Sequence, residues 1–131
     1  MNQEIPPTPS INEDAIEGKE QSLFLKAVQF TEEFLVAFDK TMLTQERYKN
    51  IPKDAPEKKE AMSKYSEAVN ALLAAEKKLR SVIKDKEELE DFIEKLSSLG
   101  AEGLRIQAKL EPIKSYVVTS MRNAQIAYRN N

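Results

Sequence analysis

The spacing of apolar residues between residues 57 and 99 is the feature that most constrains the fold of this chain. These residues recur at alternating intervals of four and three positions, and only a helix places such residues on one line. The pattern is a heptad seam, which is typical of helices that pack as in a coiled coil. The seam comprises Ala61, Tyr65, Ala68, Leu72, Ala75, Leu79, Val82, Leu89, Ile93 and Leu96, with Lys86 as its one polar interruption.

The segment Glu57–Leu99 admits two interpretations. It contains no Gly or Pro, so we expect one continuous or gently bent helix. In the alternative, the helix breaks near Asp85, which can cap a new helix and is followed three positions later by Glu88, as in a capping box. On the seam, Lys86 either fixes the packing register or extends its ammonium group to solvent, and we favour the second role.

Two further segments have helical periodicity. Residues 19–49 have a broad apolar face that carries four of the five Phe residues, and residues 104–129 have a second seam with a kink expected at Pro112. A proline-containing loop at 50–56 and Gly100 separate the segments. The sequence therefore predicts an all-α fold, an antiparallel bundle of three long helices with coiled-coil-like packing, or of four if the central helix breaks near Asp85.

The first 18 residues have a different character. Pro6, Pro7 and Pro9 restrict the backbone, and acidic residues predominate. We expect a disordered, acidic, proline-containing tail over 1–18 and a single helical-bundle domain over 19–131, and whether the tail docks on the bundle stays open. No signal peptide and no membrane-spanning run are recognisable, so we expect a soluble, cytoplasmic protein.

Composition argues against most enzyme classes. The chain has no His and no Cys, which removes the commonest general base, the thiolate nucleophile and the commonest metal ligands. The inward helix positions are expected to be apolar, which disfavours a carboxylate metal site. We therefore expect no catalytic activity, metal, cofactor or small-molecule substrate. The net charge of −2 makes nucleic acid an improbable partner.

Apolar residues off the core lines indicate a surface for a protein partner. A helix that is apolar on two sides is contacted on two sides. The candidate partner-binding residues are Leu25, Val36 and Leu43 in the first helix and Tyr116, Val118 and Ile126 in the last. The leading hypothesis is a non-catalytic interaction or structural module that associates with itself or with another helical protein. The alternative is an export or assembly chaperone that holds an amphipathic client helix.

Clustered basic residues suggest one more alternative. Binding to an anionic lipid or nucleic-acid surface would use such residues, although pairing within the molecule or simple solvation is the favoured interpretation. The candidates are Lys77, Lys78, Arg80, Lys84, Arg122 and Arg129.

Overall fold

The computed structural model of the chain describes the backbone of residues 7–130 and the side chains of residues 21–124. Over this range the protein is an all-α helical bundle without strands, which confirms the predicted fold class. Two short 3₁₀ segments, Leu96–Leu99 and Glu111–Ile113, connect neighbouring helices. The helices are α1 (Pro7–Asn50), α2 (Glu57–Val82), α3 (Lys86–Lys95), α4 (Ala101–Leu110) and α5 (Lys114–Asn130).

The first helix begins earlier than the sequence predicts. Its first residue is Pro7, inside the segment expected to form the tail. Proline is well tolerated at the first helical position, because the N–H that it lacks would have no partner within the helix. The side chains of residues 1–20 lie outside the described part of the chain. The boundary at residue 18, and any docking of the tail, therefore stay predictions.

Helices α1 and α2 form a closely packed antiparallel pair. Ala61, Ala68 and Ala75 are buried along the face of α2 that meets α1. The Thr41 hydroxyl of α1 lies 2.8 Å from the carbonyl oxygen of Ala37 in its own helix and 3.1 Å from that of Ala68 in the other, and it donates to both. A side chain as short as threonine reaches a neighbouring backbone carbonyl only where two helices approach closely, and alanine leaves room for this approach.

The hydrophobic core lies where the other helices pack on this pair. Phe34 of α1 is buried, and the other three Phe residues of that helix pack against the core, as the sequence predicts. The largest fully buried apolar side chains come from helices α1 to α4 and from the 3₁₀ segment Leu96–Leu99. They are Phe34, Leu79, Leu89, Leu96, Ile106 and Leu110.

The favoured prediction of a continuous helix over Glu57–Leu99 is wrong. Helix α2 ends at Val82, and Ile83 has an extended backbone with φ −125° and ψ 109°. The chain re-enters a helix after Asp85, whose side chain accepts a hydrogen bond of 2.8 Å from the Glu88 N–H. The break is therefore the one that the alternative interpretation placed near Asp85.

Capping hydrogen bonds explain why the seam fails to predict continuity. Glu88 Oε1 accepts a hydrogen bond of 2.7 Å from the Lys84 N–H, so the two acidic residues satisfy backbone donors on both sides of the break. The heptad spacing records only sequence intervals and continues through the break. Lys86 becomes the exposed first residue of α3 and is not a core residue.

Glycine and proline determine the path of the last segment. Gly100 has φ +71°, a conformation that glycine adopts without steric cost. A Cβ atom on Gly103 in α4 would lie 1.7 Å from the Leu96 carbonyl oxygen, so only glycine fits where α4 approaches the preceding 3₁₀ segment. Pro112 lies within the 3₁₀ segment Glu111–Ile113, and this irregularity between α4 and α5 agrees with the predicted kink.

Replacement of Asp85 by alanine should remove the cap of α3. We expect Asp85→Ala to lower the free energy of unfolding by about 1 kcal/mol, because the Glu88 N–H loses its acceptor. The measurement is chemical denaturation, with Asp91→Ala as the control, since Asp91 is an exposed residue inside the same helix. Equal stability of the two variants would contradict the assigned cap.

Candidate interaction surface

The face of α1 opposite the buried Phe34 carries a row of exposed aliphatic side chains. We call Leu25, Val36 and Leu43 the outer line of α1. Their exposed fractions are 49%, 69% and 70%. At 100° per residue the three positions differ by no more than about 20° around the helix axis. The neighbouring Phe34 and Leu35 are buried, so α1 is packed on one side and apolar but exposed on the other.

Ion pairs flank the outer line and connect α1 to its neighbours. Arg105 of α4 donates to both Glu32 and Glu102. Lys109 of α4 lies 3.9 Å from Asp39. The hydrogen bond and the positive charge of Arg105 lower the pKa of the Glu102 carboxyl group below its ordinary value. These exposed contacts position α4 beside α1 without covering the outer line.

An open groove lies beside Val36. Its volume is about 750 Å³. Ala71 and Ala74 of α2 line it, and their small side chains leave the groove apolar and shallow. At its edge Lys78 Nζ lies 3.1 Å from Glu33 Oε1. The groove therefore adjoins the outer line at Val36 and has charged residues at its border.

The candidate residues in the last helix do not join this surface. The Tyr116 ring packs 5.4 Å from the ring of Phe38, measured between centroids, and so lies on the inner side of α1. Val118 is half-buried and packs against the core. The side chain of Ile126 lies outside the described residues. Among the predicted partner-binding residues, the structure brings together the three of α1.

A buried carboxylate, which the sequence analysis missed, connects α2 to α5. Glu76 is 7% exposed. Its carboxylate accepts hydrogen bonds of 2.7 Å from the Tyr116 hydroxyl and 3.2 Å from the Ser120 hydroxyl. Arg80 lies 3.5 Å from the same carboxylate and donates to Ser120 at 3.2 Å. The expectation that inward positions are all apolar is therefore wrong at Glu76.

The position of Glu76 offered a sequence signal. It follows Leu72 by four positions and precedes Leu79 by three, and both leucines are buried. A residue with this spacing lies on the same face of the helix. Two partners of Glu76, Tyr116 and Ser120, lie 40 and 44 positions away, so the spacing indicates burial but does not identify them.

The hydrogen-bond network around Glu76 changes the pKa of the Tyr116 hydroxyl. Burial, the hydrogen bond to Glu76 and the negative charge of Glu76 raise the pKa of the Tyr116 hydroxyl to about 12. Each cause favours the protonated hydroxyl, which is the form that donates to the carboxylate. The arrangement stabilises the contact between α2 and α5 over the ordinary pH range.

The predicted basic residues do not form one cluster of uncompensated charges. Lys78 pairs with Glu33, and Arg80 pairs with Glu76. Lys77, Lys84 and Arg122 are exposed. The side chain of Arg129 lies outside the described residues. The two pairs agree with the interpretation that part of this positive charge is balanced within the molecule.

Comparison with known proteins adds no further constraint on function: no family model, curated protein or solved structure matches the chain significantly. Within residues 7–130, no helix is both long enough and apolar enough to cross a membrane. Among the described side chains, those of residues 21–124, no group of three or more acidic residues is arranged to hold a metal ion.

Removal of the Tyr116 hydroxyl should change how the free energy of unfolding depends on pH in the alkaline range. The pKa is about 12 in the folded chain and about 10 in the unfolded chain, so the hydroxyl stabilises the fold below pH 10 and loses this effect as the pH rises through 12. We expect Tyr116→Phe to be less stable than the wild type at neutral pH, by about 1 kcal/mol. The difference should shrink between pH 10 and 12, as measured by chemical denaturation.

A matched comparison separates this effect from general alkaline unfolding. Tyr65→Phe removes another half-buried tyrosine hydroxyl, one that accepts a long hydrogen bond of 3.4 Å from Gln45. Its hydrogen-bond partner is a neutral amide and not a carboxylate, so the comparison isolates the contribution of the bond to Glu76. A constant difference between the wild type and Tyr116→Phe from pH 8 to pH 12 would contradict the assigned network.

Proposed function

We propose that the chain is a non-catalytic helical-bundle interaction module that binds itself or another helical protein through the outer line of α1. The supporting observation is the exposure of Leu25, Val36 and Leu43 on one line, opposite the buried face of the same helix. Single exposed aliphatic residues are ordinary, but three that lie on one line over five helical turns offer an elongated contact, with polar residues such as Gln29 and Glu32 between them. The cytoplasmic location expected from the sequence belongs to the same proposal.

Burial of this line would contribute meaningfully to association. Complete burial of a leucine or valine side chain contributes roughly 1.5–3 kcal/mol. Because each of the three side chains is half to two-thirds exposed, a partner that covers it gains roughly 1–2 kcal/mol per residue on the same scale. The opposite face of α1 is occupied by the bundle, so a partner can dock without unfolding the helix.

The surroundings of Glu76 favour a structural role over a catalytic one. Its carboxylate is held by Tyr116, Ser120 and Arg80, which are donors from the same chain. A general base needs a carboxylate lone pair within reach of a substrate proton. Glu76 instead joins two helices, as expected for a buried polar group that specifies how they pack.

A second candidate function is that of a chaperone for an amphipathic client helix. The groove of about 750 Å³ beside Val36 favours this candidate, because Ala71 and Ala74 leave space along two neighbouring helices. Such a client would place its apolar face on the alanines and its polar face towards the charged borders. No comparable observation favours the anionic-surface alternative, since Lys78 and Arg80 already pair with acidic residues.

Charge substitution on the outer line tests the proposed function. We expect Leu25→Glu combined with Leu43→Glu to abolish both self-association and the retention of partner proteins from an extract of cells that express the chain. Both side chains are exposed, so helical content and thermal stability should stay close to those of the wild type. Light scattering, affinity capture and circular dichroism measure these effects.

The matched control is Leu104→Glu, which places the same charge at a residue that is 52% exposed on α4. This variant should associate as the wild type does. Equal association of wild type, double variant and control would overturn the assignment of the outer line. Unfolding of the double variant alone would show that the line belongs to the core.

A further inference from the structure

Helix α5 packs on the bundle along a single narrow stripe. Of its described side chains, those of residues 114–124, only Val117 and Met121 are buried. The two residues are four positions apart, so they lie one above the other on the helix surface. By contrast, α3 and α4 each bury three residues within a length of 10. Among the described side chains, α5 therefore contributes the fewest buried residues to the core.

The connection that precedes α5 is irregular. The 3₁₀ segment Glu111–Ile113 separates α4 from α5, and Pro112 within it has no N–H to donate to a carbonyl of α4. Leu110, at the end of α4, is fully buried and fixes that helix in the core. On the other side of the segment, Lys114 Nζ lies 3.1 Å from Glu90 Oε2 of α3. The chain therefore has an anchored bend here, about which α5 can rotate while α4 stays in place.

Water can replace the polar contacts that hold α5. The Tyr116 and Ser120 hydroxyls donate to the Glu76 carboxylate, beside an open cleft of about 400 Å³ between α2 and α5. If α5 moves away, water reaches this carboxylate, and Arg80 stays beside it because both residues belong to α2. A buried charge without a partner would oppose such a movement strongly. Departure of α5 creates no such charge at Glu76.

Beneath α5 lies an apolar strip of the α1–α2 pair. The buried face of α5 lines a small internal space of about 10 Å³ together with Phe34 and Leu79. The Tyr116 ring lies 5.4 Å from the Phe38 ring, measured between centroids. We call Phe34, Phe38 and Leu79 the covered strip. From these contacts we propose that α5 is a hinged cover: it opens as one unit at Glu111–Ile113, while α1 and α2 stay paired, and exposes the covered strip.

The α1–α2 pair has contacts of its own that survive the departure of α5. The buried alanines of α2 meet α1 directly, and Thr41 donates to the Ala68 carbonyl between the two helices. The fully buried Leu89 and Ile106 belong to α3 and α4, so these helices keep much of the remaining core covered. Phe34 lies opposite the outer line of α1, and the hinged cover is therefore independent of the proposed function.

Native-state hydrogen exchange of the full wild-type chain, followed by NMR, tests the opening. We expect the amides of residues 118–124 to exchange with one common opening constant. This constant should be at least about tenfold larger than that of the amides in the central turns of α1 and α2. A common constant identifies one unit, because fraying of a helix end gives a constant that rises steadily towards the terminus.

Three variants make the test specific. Thr41→Val removes the hydrogen bond between α1 and α2, so the opening constant of the pair should rise about fivefold while that of α5 stays unchanged. Tyr116→Phe removes the hydrogen bond to Glu76 and should raise the opening constant of α5 about fivefold. The matched control is Tyr65→Phe, which removes a tyrosine hydroxyl within the pair and should leave the α5 constant as it is in the wild type.

Several results would overturn the hinged cover. One is a steady rise of the opening constant along residues 118–124, which would indicate fraying. Another is a single constant shared by α5 and the α1–α2 pair in the wild type. An α5 constant that rises together with that of the pair in Thr41→Val would likewise show one cooperative unit. An α5 constant that does not respond to Tyr116→Phe would show that opening leaves the contact with Glu76 intact.

Discussion

The close contact between α1 and α2 is the constraint on which the rest of the structure depends. Ala61, Ala68 and Ala75 bring the two backbones near enough for Thr41 to hydrogen-bond a carbonyl of the other helix. Larger residues at these positions would separate the helices and move every element that packs on them. The small residues therefore fix the geometry, while Phe34 and several leucines are among the largest fully buried side chains.

The orientation of α1 in this pair gives the helix two distinct faces. Its inner face contacts α2 and the core, and its outer face carries the aligned side chains of Leu25, Val36 and Leu43. Helix α4 is held beside it by exposed ion pairs, and such pairs contribute little to stability individually. Helix α5 is attached through the buried carboxylate of Glu76. The arrangement leaves the outer face accessible and is the physical basis of the proposed association.

The sequence predicted the fold class and the outer line, but not how the segments meet. Helical periodicity identifies faces, so the alignment of Leu25, Val36 and Leu43 was available before the structure. The break at Asp85 was also recognisable from Glu88, yet the uninterrupted heptad spacing favoured the wrong alternative. The role of Tyr116 was not predictable, because its contacts depend on where the chain goes after Pro112. The burial of Glu76 was indicated by its spacing from Leu72 and Leu79, but its partners in α5 depend on packing between distant segments, which local pattern does not specify.

The most direct test of the account is the mass of the wild-type chain in solution, measured by light scattering on a sizing column over a tenfold range of concentration. The account predicts a mass that rises with concentration from that of one 14.9 kDa chain towards about twice this value. It also predicts little sensitivity to moderate salt, because the proposed contact is mainly apolar. A mass of one chain at every concentration would contradict self-association through α1.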